Sequence, residues 1–375
     1  MDGAGDMVWV AVPFAAGVSA GAVLVVHGAL GPGVSGVLAV CCLVPAAGLV
    51  WSLRTEGLTA LKVACTALLC GLFCYLSWHS RGAAAFDGPV QRLAQGCVEE
   101  LRARIDRLPY GSGQSGALVK ALLTGDRSGL ERETVATFRR SGASHLLALS
   151  GLHLGFIYLI IRRLSALIPW RGPRSEAVRA GAVTALCGFY TLMTGAGPSI
   201  VRAFLFILIN ELAGISPGRR REPGRTLLSA LTIQLAISPG VVSTVGFQLS
   251  YLAMAGIIWI FPRLDAFWPG NGSVEADGLK SLRRRLSLKG LWTAASLSIS
   301  CQITTAPLAW WRFHSFPRYF LITNLLAMPL TSAVMALSIA VLALSACGLC
   351  PLWLAGLNDS ALQLLLRLLQ IISSM

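Results

Sequence analysis

Two histidines lie in a stretch of the chain that is otherwise apolar enough to enter a membrane. Residues 141–155 read SGASHLLALSGLHLG and contain His145, His153, three serines and three glycines. Lipid cannot hydrogen-bond these groups, so they need protein partners or a water-filled cavity. On a continuous helix the two imidazoles would lie ~12 Å apart along the axis, too far to share one metal ion. No carboxylate is close in sequence, so we expect no metal ion, no cofactor and no catalytic residue.

Two interpretations of this stretch remain open. In the first, each imidazole bonds a neighbouring backbone group or hydroxyl, and the small residues allow close packing of helices. In the second, Ser150 and Gly151 break the helix, and the freed backbone groups line a cavity. His145, Ser150, Gly151 and His153 would then line a path for a polar cargo.

A second candidate site lies in residues 194–202, which read TGAGPSIVR. Two glycines end one apolar run, and Pro198 suits the first position of the next helix. A helix that starts there presents free N–H groups and the positive end of its dipole, with Ser199 beside them and Arg202 about one turn in. This pattern predicts an anion site. The alternative is a tight turn between helices whose arginine reaches out to lipid headgroups.

Polar residues also open or interrupt two later apolar runs. Gln248 and Ser250 lie in the sequence VGFQLSY, where hydrogen bonding between helices is the simplest role. Pro329, in the sequence TNLLAMPL, removes one helix hydrogen bond and frees a carbonyl, for which Asn324 is the expected partner. Kinked helices with a polar lining form the midplane sites of transporters, so these four residues are candidate walls of the same path.

The elements that must position these residues are membrane helices. The chain has 375 residues, of which 55% are hydrophobic and only 13% charged, and its mean hydropathy is +0.67. These values predict an all-α, polytopic integral membrane protein. About eleven apolar runs can each cross a hydrocarbon core, and glycine and proline interrupt several, which predicts broken or kinked helices. The runs lie near 8–28, 34–53, 58–78, 144–168, 178–195, 199–214, 226–240, 244–262, 291–311, 319–346 and 352–373.

These runs divide the chain into three expected regions. Residues 1–80 hold N-terminal membrane helices, 81–140 form an extracytoplasmic amphipathic helical segment, and 141–375 form the C-terminal membrane domain. Within the middle region, the periodicity of residues 90–108 predicts an amphipathic helix on the membrane surface. The glycine-rich residues 109–116 predict a flexible break.

The net charge of +14 is concentrated between the apolar runs. The positive-inside rule and anionic headgroups account for most of it, with attraction of a polyanion as the other interpretation. Counting basic residues in alternate loops predicts a cytoplasmic N-terminus and an extracytoplasmic C-terminus. The first residues carry no basic region, so a cleaved signal peptide is not expected. Most of the ten cysteines lie in apolar runs and are expected to pack as small hydrophobes.

Four sets of residues occur in an order that resembles the ComEC competence-protein family. They are the paired runs 122–130 (LLTGDRSGL) and 138–153 (FRRSGASHLLALSGLH), then 197–204 (GPSIVRAF), 246–251 (GFQLSY) and 324–330 (NLLAMPL). The resemblance covers about residues 118–345. It implies a channel in the bacterial inner (plasma) membrane that passes single-stranded DNA into the cytoplasm during natural transformation.

The sequence also departs from that family. Full-length members add an OB-like domain, for which residues 79–117 are too short, and a metallo-β-lactamase-like nuclease domain, which we do not expect before the chain ends at Met375. The resemblance therefore implies separate DNA receptor, nuclease and cytoplasmic helicase chains as partners, besides membrane lipids, and it allows a homo-oligomer. Gly197 and Pro198 stand where the family often has Ser-Pro, so one hydroxyl near Arg202 is lost.

Two other functions remain open from the residues. A permease for a smaller anionic solute would use the same broken helices, and a non-transporting membrane scaffold would use the polar residues only for packing. No P-loop sequence is present, which argues against an ATP-driven motor within this chain. Acidic residues are nearly absent from the apolar runs, which argues against proton-coupled transport.

Overall fold

Helices make up every regular element that the structure, a computed structural model, describes. The described residues are 3–26, 59–81, 88–167, 173–215, 222–268, 279–314, 319–349 and 351–374, with a few single residues between 35 and 46. The helices are α1 (Gly3–Val26), α2 (Thr59–Arg81), α3 (Pro89–Asp106), α4 (Gly113–Thr124), α5 (Arg132–Arg140), α6 (Ser144–Leu147), α7 (Gly151–Ala166), α8 (Pro173–Met193), α9 (Pro198–Ile215), α10 (Pro223–Ile237), α11 (Val245–Ala255), α12 (Phe261–Ala266), α13 (Leu279–Phe313), α14 (Phe320–Ala346) and α15 (Leu352–Ser374).

Five helical stretches are long and apolar enough to cross a membrane. They are Met7–Val26, Ala60–Ser80, Pro198–Ile215, Val245–Ala266 and Phe320–Ala346. The expected all-α membrane fold is therefore confirmed for the part of the chain that the structure describes. The crossing number of about eleven remains a prediction, and most of the run near 34–53 lies outside the described residues.

The chain divides into two compact units. The first comprises Met1–Gly88, Leu164–Leu186 and Val201–Tyr251. In it α1 packs along α2 with the two backbones in close contact. A Cβ atom added to Gly17 would overlap the carbonyl oxygen of Leu68, so only glycine allows this approach. Small residues at a helix interface are the usual way in which membrane helices gain packing contacts.

The second unit comprises Pro89–Arg163, Cys187–Ile200 and Leu252–Met375. Its core brings α4 and the residues around α5 and α6 against the hairpin of α14 and α15. The members of this core with the largest fully buried side chains are Ile105, Leu118, Leu122, Phe138, Leu146, Met335, Leu362 and Leu365. The predicted middle and C-terminal regions thus share one hydrophobic core.

The helices of residues 89–140 match the sequence expectations only in part. The predicted helix over 90–108 is present as α3, and three of its residues are buried. The predicted flexible break at 109–116 is wrong at its end, because Ser112 caps α4 and the helix begins at Gly113. The Ser112 hydroxyl accepts the N–H of Ser115, which satisfies a free donor of the first turn. Eight of the twelve residues of α4 are buried, so this helix belongs to the core.

Two long helical stretches pass through sequence features that weaken helices. α14 continues through Pro329 without interruption, and Pro329 itself is exposed. Between α11 and α12 one π turn, Gly256–Ile260, keeps the chain helical. A Cβ atom on Gly256 would overlap the Ser300 carbonyl oxygen of α13, so the π turn coincides with a close helix contact. π turns of this kind often occur at functional positions.

Candidate functional site

The predicted helix break at Ser150 and Gly151 is present. α6 ends at Leu147, Ala148 is extended with φ −81° and ψ 128°, and α7 begins at Gly151. The break leaves the carbonyl of Leu147 without a helical partner, and the Arg127 guanidinium fills that role with an Nε to oxygen distance of 2.9 Å. The apolar run near 144–168 is therefore two helices, joined by three residues of non-helical backbone.

His153 closes the N-terminus of α7 in a reciprocal cap. The backbone N–H of Ser150 donates to His153 Nδ1 over 3.1 Å, and the Ser150 hydroxyl lies 2.9 Å from the same nitrogen. In return the Ser150 hydroxyl accepts the N–H of Leu152 at 3.3 Å. This arrangement is a capping box in which histidine takes the place usually held by glutamate or glutamine.

The cap fixes the tautomer of His153. Because Nδ1 accepts from a backbone N–H, the ring proton must be on Nε2 when the imidazole is neutral. The side chain is fully buried, and Nε2 has no hydrogen-bond partner among the described residues. A buried N–H group without a partner is costly, so this donor is the clearest candidate ligand contact in the second unit.

His145 has a different environment from His153. Its side chain is exposed, and its Nδ1 lies 3.2 Å from the carbonyl oxygen of Gly142. Gly142 has φ +79° and ends α5 in the left-handed conformation that glycine adopts readily. Each histidine thus has one ring nitrogen in a local contact, as the first interpretation expects. Of the two, His153 also has a buried N–H group, on Nε2, without a hydrogen-bond partner among the described residues.

The loop that supplies Arg127 is held in place by its own residues. Gly125 ends α4 with φ +77°, and a Cβ atom there would lie 2.5 Å from Leu149 Cδ1 of the helix break. The hydroxyl and backbone N–H of Ser128 both donate to Asp126, and together they lower the pKa of this carboxyl. In the sequence, this loop is recognisable only as part of a family motif, and nothing there points to a role for Arg127.

α14 joins the same region through a neighbour of Asn324. The Thr323 hydroxyl donates to the Ser141 carbonyl oxygen over 2.6 Å, and both residues are fully buried. The predicted role of Asn324 as partner of the carbonyl freed by Pro329 stays a prediction. Its side-chain oxygen is buried without a hydrogen-bond partner in the described residues.

The first unit contains the Arg202 cluster, defined as Arg202, Tyr251 and Gln234. α9 begins at Pro198 as predicted, after Gly195 and Ala196 both adopt positive φ. Arg202 is only 8% exposed, and its Cζ lies 5.9 Å from the centre of the Tyr251 ring, within cation–π range. This burial argues against a side chain that reaches out to headgroups.

A buried hydrogen bond extends the Arg202 cluster. The Tyr251 hydroxyl donates to Gln234 Oε1 over 2.9 Å. Tyr251 ends the VGFQLSY sequence, so the structure joins two of the family motifs through Arg202. Neither Tyr251 nor Gln234 was predicted as a site residue, because polarity alone does not single out an aromatic side chain that stacks on a cation.

Gln248 makes a local hydrogen bond, and for Ser250 the predicted hydrogen bonding between helices stays a prediction. The Gln248 amide donates to the Val242 carbonyl oxygen over 2.8 Å and so bonds the turn just before its own helix. Ser250 is half-buried. Among the described residues, no group of three or more histidine, cysteine, aspartate or glutamate side chains could hold a metal ion.

The predicted site residues thus fall into separate groups. Ser150, Gly151 and His153 form one local structure. The second unit also contains His145, Ser199, Asn324 and Pro329, while Arg202, Gln248 and Ser250 belong to the first unit.

Comparisons with known proteins agree with the motifs. A family model described as competence protein matches residues 122–375. ComE operon protein 3 of Bacillus subtilis (strain 168) is 27% identical over 223 residues, which are 57% of this chain and 24% of that protein. Competence protein ComA of Neisseria gonorrhoeae is 28% identical over 224 residues, which are 58% of this chain and 29% of that protein.

Another relative is the uncharacterized protein YcaI of Escherichia coli (strain K12). It is 25% identical over 222 residues, which are 58% of this chain and 28% of that protein. The aligned part of the chain therefore spans less than a third of each of these relatives. No solved structure matches the chain. Because the family model covers more than half of the chain and includes every motif that suggested the resemblance, the chain belongs to the competence protein family.

Proposed function

We propose that this protein is a channel that passes single-stranded DNA through the bacterial inner membrane during natural transformation. Membership of the competence protein family and the membrane-length helices support a role in DNA uptake. The observation that carries the proposal is the broken helix at 148–150, where a buried N–H donor stands beside the N-terminus of α7.

DNA translocation makes particular demands on the path. Each nucleotide brings one phosphate, so the wall must offer repeated but weak contacts, since strong sites would trap the strand. A neutral imidazole donor such as His153 Nε2 meets this demand better than an exposed cation. The helix N-terminus at Gly151 adds backbone donors and a positive dipole end to the same place.

Arg202 is the proposed cationic contact. Its charge is buried over the Tyr251 ring, where a cation–π contact offsets part of the cost of desolvation. A phosphate that approaches this guanidinium would meet planar donors suited to oxyanions. Ser199, Gln248, Ser250 and Asn324 are proposed as further polar walls, with His145 at an exposed position and Pro329 as the helix-weakening residue.

The remaining parts of the proposal concern partners and location. On the assumption of eleven alternating crossings, the distribution of basic residues gives a cytoplasmic N-terminus and an extracytoplasmic C-terminus. The protein would not itself be an enzyme. A DNA receptor, a nuclease and a cytoplasmic helicase are the proposed partner chains, and a homo-oligomer would be compatible with this role.

The test is natural transformation in a strain that lacks the gene and carries variants of it. We expect Arg202→Ala to abolish transformation while its membrane level stays unchanged. The control is Arg367→Ala, which removes an exposed arginine of α15 outside the motifs. Normal transformation in the Arg202→Ala strain would remove this residue from the path.

The same strains separate the alternative functions. A permease for a smaller anion predicts that the deletion strain keeps DNA uptake and loses accumulation of a small solute. A scaffold predicts that alanine at His145, His153 or Gln248 has no effect on transformation.

A further inference from the structure

A largely apolar groove lies in the second unit, apart from the helix break. Its volume is about 440 Å³, within the range of small-molecule sites. The walls come from α3, α7 and α14, with one residue each from α4 and α8. The lining includes Arg104, Ile157, Ile161, Ile339, Ala343 and Ala346. The remaining lining side chains are apolar except for the tyrosine of α8, whose hydroxyl already donates to the carbonyl of Leu123.

The position of the groove along α14 indicates which part of a lipid bilayer each end of the groove would contact. α14 has 27 residues, which is about 40 Å and exceeds a hydrocarbon core of about 30 Å. The groove follows the last two turns of this helix, from Ile339 to its final residue Ala346. In a bilayer that α14 crosses, one end of the groove would therefore lie at headgroup level, and the other end would extend toward the acyl chains.

The headgroup end carries a positive charge. Arg104 lines the groove, and 49% of its side chain is exposed. Its Nε donates to Glu100 Oε1 over 2.9 Å, and this hydrogen bond, followed by the charges of Arg104 and Arg107, lowers the pKa of Glu100. Two cations and one anion therefore lie at this end of the groove. The Glu100 contact uses only Nε, which leaves the terminal guanidinium nitrogens of Arg104 for an oxyanion.

We propose that this groove binds one acyl chain of an anionic phospholipid, whose phosphate lies against Arg104. The apolar walls suit a hydrocarbon chain and offer almost no partner to a polar ligand. The excess of one positive charge at the headgroup end selects an anionic headgroup over a zwitterionic one. The binding site requires only that the chain spans a membrane, so it is independent of the proposed DNA path.

The first experiment uses the unaltered full-length protein in detergent. Phosphatidylglycerol and phosphatidylcholine with the same acyl chains are titrated in turn, and bound lipid is counted by native mass spectrometry. One net cation near the headgroup predicts a preference of about fivefold for phosphatidylglycerol. A phosphatidylglycerol with a photoreactive acyl chain should cross-link to peptides that contain 157–161 or 339–346. Equal binding of the two lipids, or cross-links only outside these peptides, would overturn the proposal.

Variants then separate the headgroup from the acyl chain. Arg104→Gln should abolish the preference for phosphatidylglycerol, whereas Arg367→Gln should keep it. Ala343→Phe and, independently, Ala346→Phe should fill the groove and reduce binding of both lipids. Ala333→Phe makes the same change at an exposed position of α14 outside the groove and should bind lipid normally. If both filled variants are folded and bind as much lipid as Ala333→Phe, the groove is not the site.

Discussion

His153 combines two roles that are usually separate at a helix start. Nδ1 caps α7 by accepting the Ser150 N–H, and this contact forces the ring proton onto the buried Nε2. A glutamate in this place would give the same cap without any donor. The cap alone does not require a histidine at position 153, whereas the buried Nε2–H donor does. Substitution can test this distinction.

Glutamine and leucine at position 153 separate these roles. His153→Gln keeps an acceptor for Ser150 and an N–H donor, so we expect near-normal transformation. His153→Leu removes both, costs about 1 kcal/mol of stability through the lost cap, and should abolish transformation. Membrane level and melting temperature are measured beside transformation, because a purely structural residue would lower all three together. Wild-type transformation with leucine would contradict the donor role.

Asp126 gives the loop that carries Arg127 a pH dependence. Donation from Ser128 lowers the pKa of the Asp126 carboxyl in the folded protein. The resulting stabilisation is fully present above the ordinary carboxyl pKa of about 4 and is lost as the pH falls through the lower folded value. Asp126→Asn should therefore melt below the wild type at pH 7, with a gap that closes on acidification.

A companion variant tests the cause of this effect. Ser128→Ala removes the hydroxyl donor, so the pKa of Asp126 should move back toward its ordinary value. In the Ser128→Ala background, the difference in melting temperature caused by Asp126→Asn should therefore disappear at a higher pH. Melting in detergent between pH 3 and pH 7, read by tryptophan fluorescence, measures both variants. A gap of constant size over this range would exclude a role for Asp126 ionisation.

At the scale of elements, the helix break depends on how α4 ends. Gly125 has φ +77°, and Leu149 of the break packs against the space that a Cβ atom would need. Gly125→Ala should cost about 1–2 kcal/mol through the left-handed backbone alone, with a further cost from the contact. A lower melting temperature and less transformation are the expected results.

The matched control for this substitution is Gly96→Ala. Gly96 lies inside α3 and has no neighbouring atom within 4 Å of an added Cβ. Alanine there should raise helix stability by up to about 1 kcal/mol. If both alanine variants melt at the wild-type temperature, the contact between α4 and the break has no energetic importance.

Local signals in the sequence were sufficient for some elements and insufficient for others. Pro198 as a helix start and Ser150–Gly151 as a break were predictable, because they depend on neighbouring residues. The bond from Arg127 to Leu147 and the stacking of Arg202 on Tyr251 join residues 20 and 49 positions apart. Tertiary packing decides such pairs.

At the scale of the molecule, residues 110–141 extend along the α14–α15 hairpin. At one end, the Asn358 amide donates to the Tyr110 hydroxyl over 3.0 Å and to Ser338 over 3.1 Å. At the other end, the Ser141 carbonyl accepts from Thr323. Ser338 and Thr323 are fifteen residues apart on α14, about 22 Å. Residues 110–141, most of which belong to the segment 81–140 expected outside the membrane, therefore follow α14 over a length equal to most of the thickness of a hydrocarbon core.

This arrangement predicts the sidedness of two positions. Leu108 packs against Val341 and Leu354, so the turn after α3 lies near the end of α14. In a variant without other cysteines, Cys347 and a cysteine introduced as Arg107→Cys should react with a membrane-impermeant maleimide from the same side. Ser144→Cys, near the Thr323 end, should react from the opposite side. Eleven alternating crossings instead put positions 107 and 347 on opposite faces. Labelling of those two positions from opposite sides would therefore favour the alternating topology over the packing described for this segment.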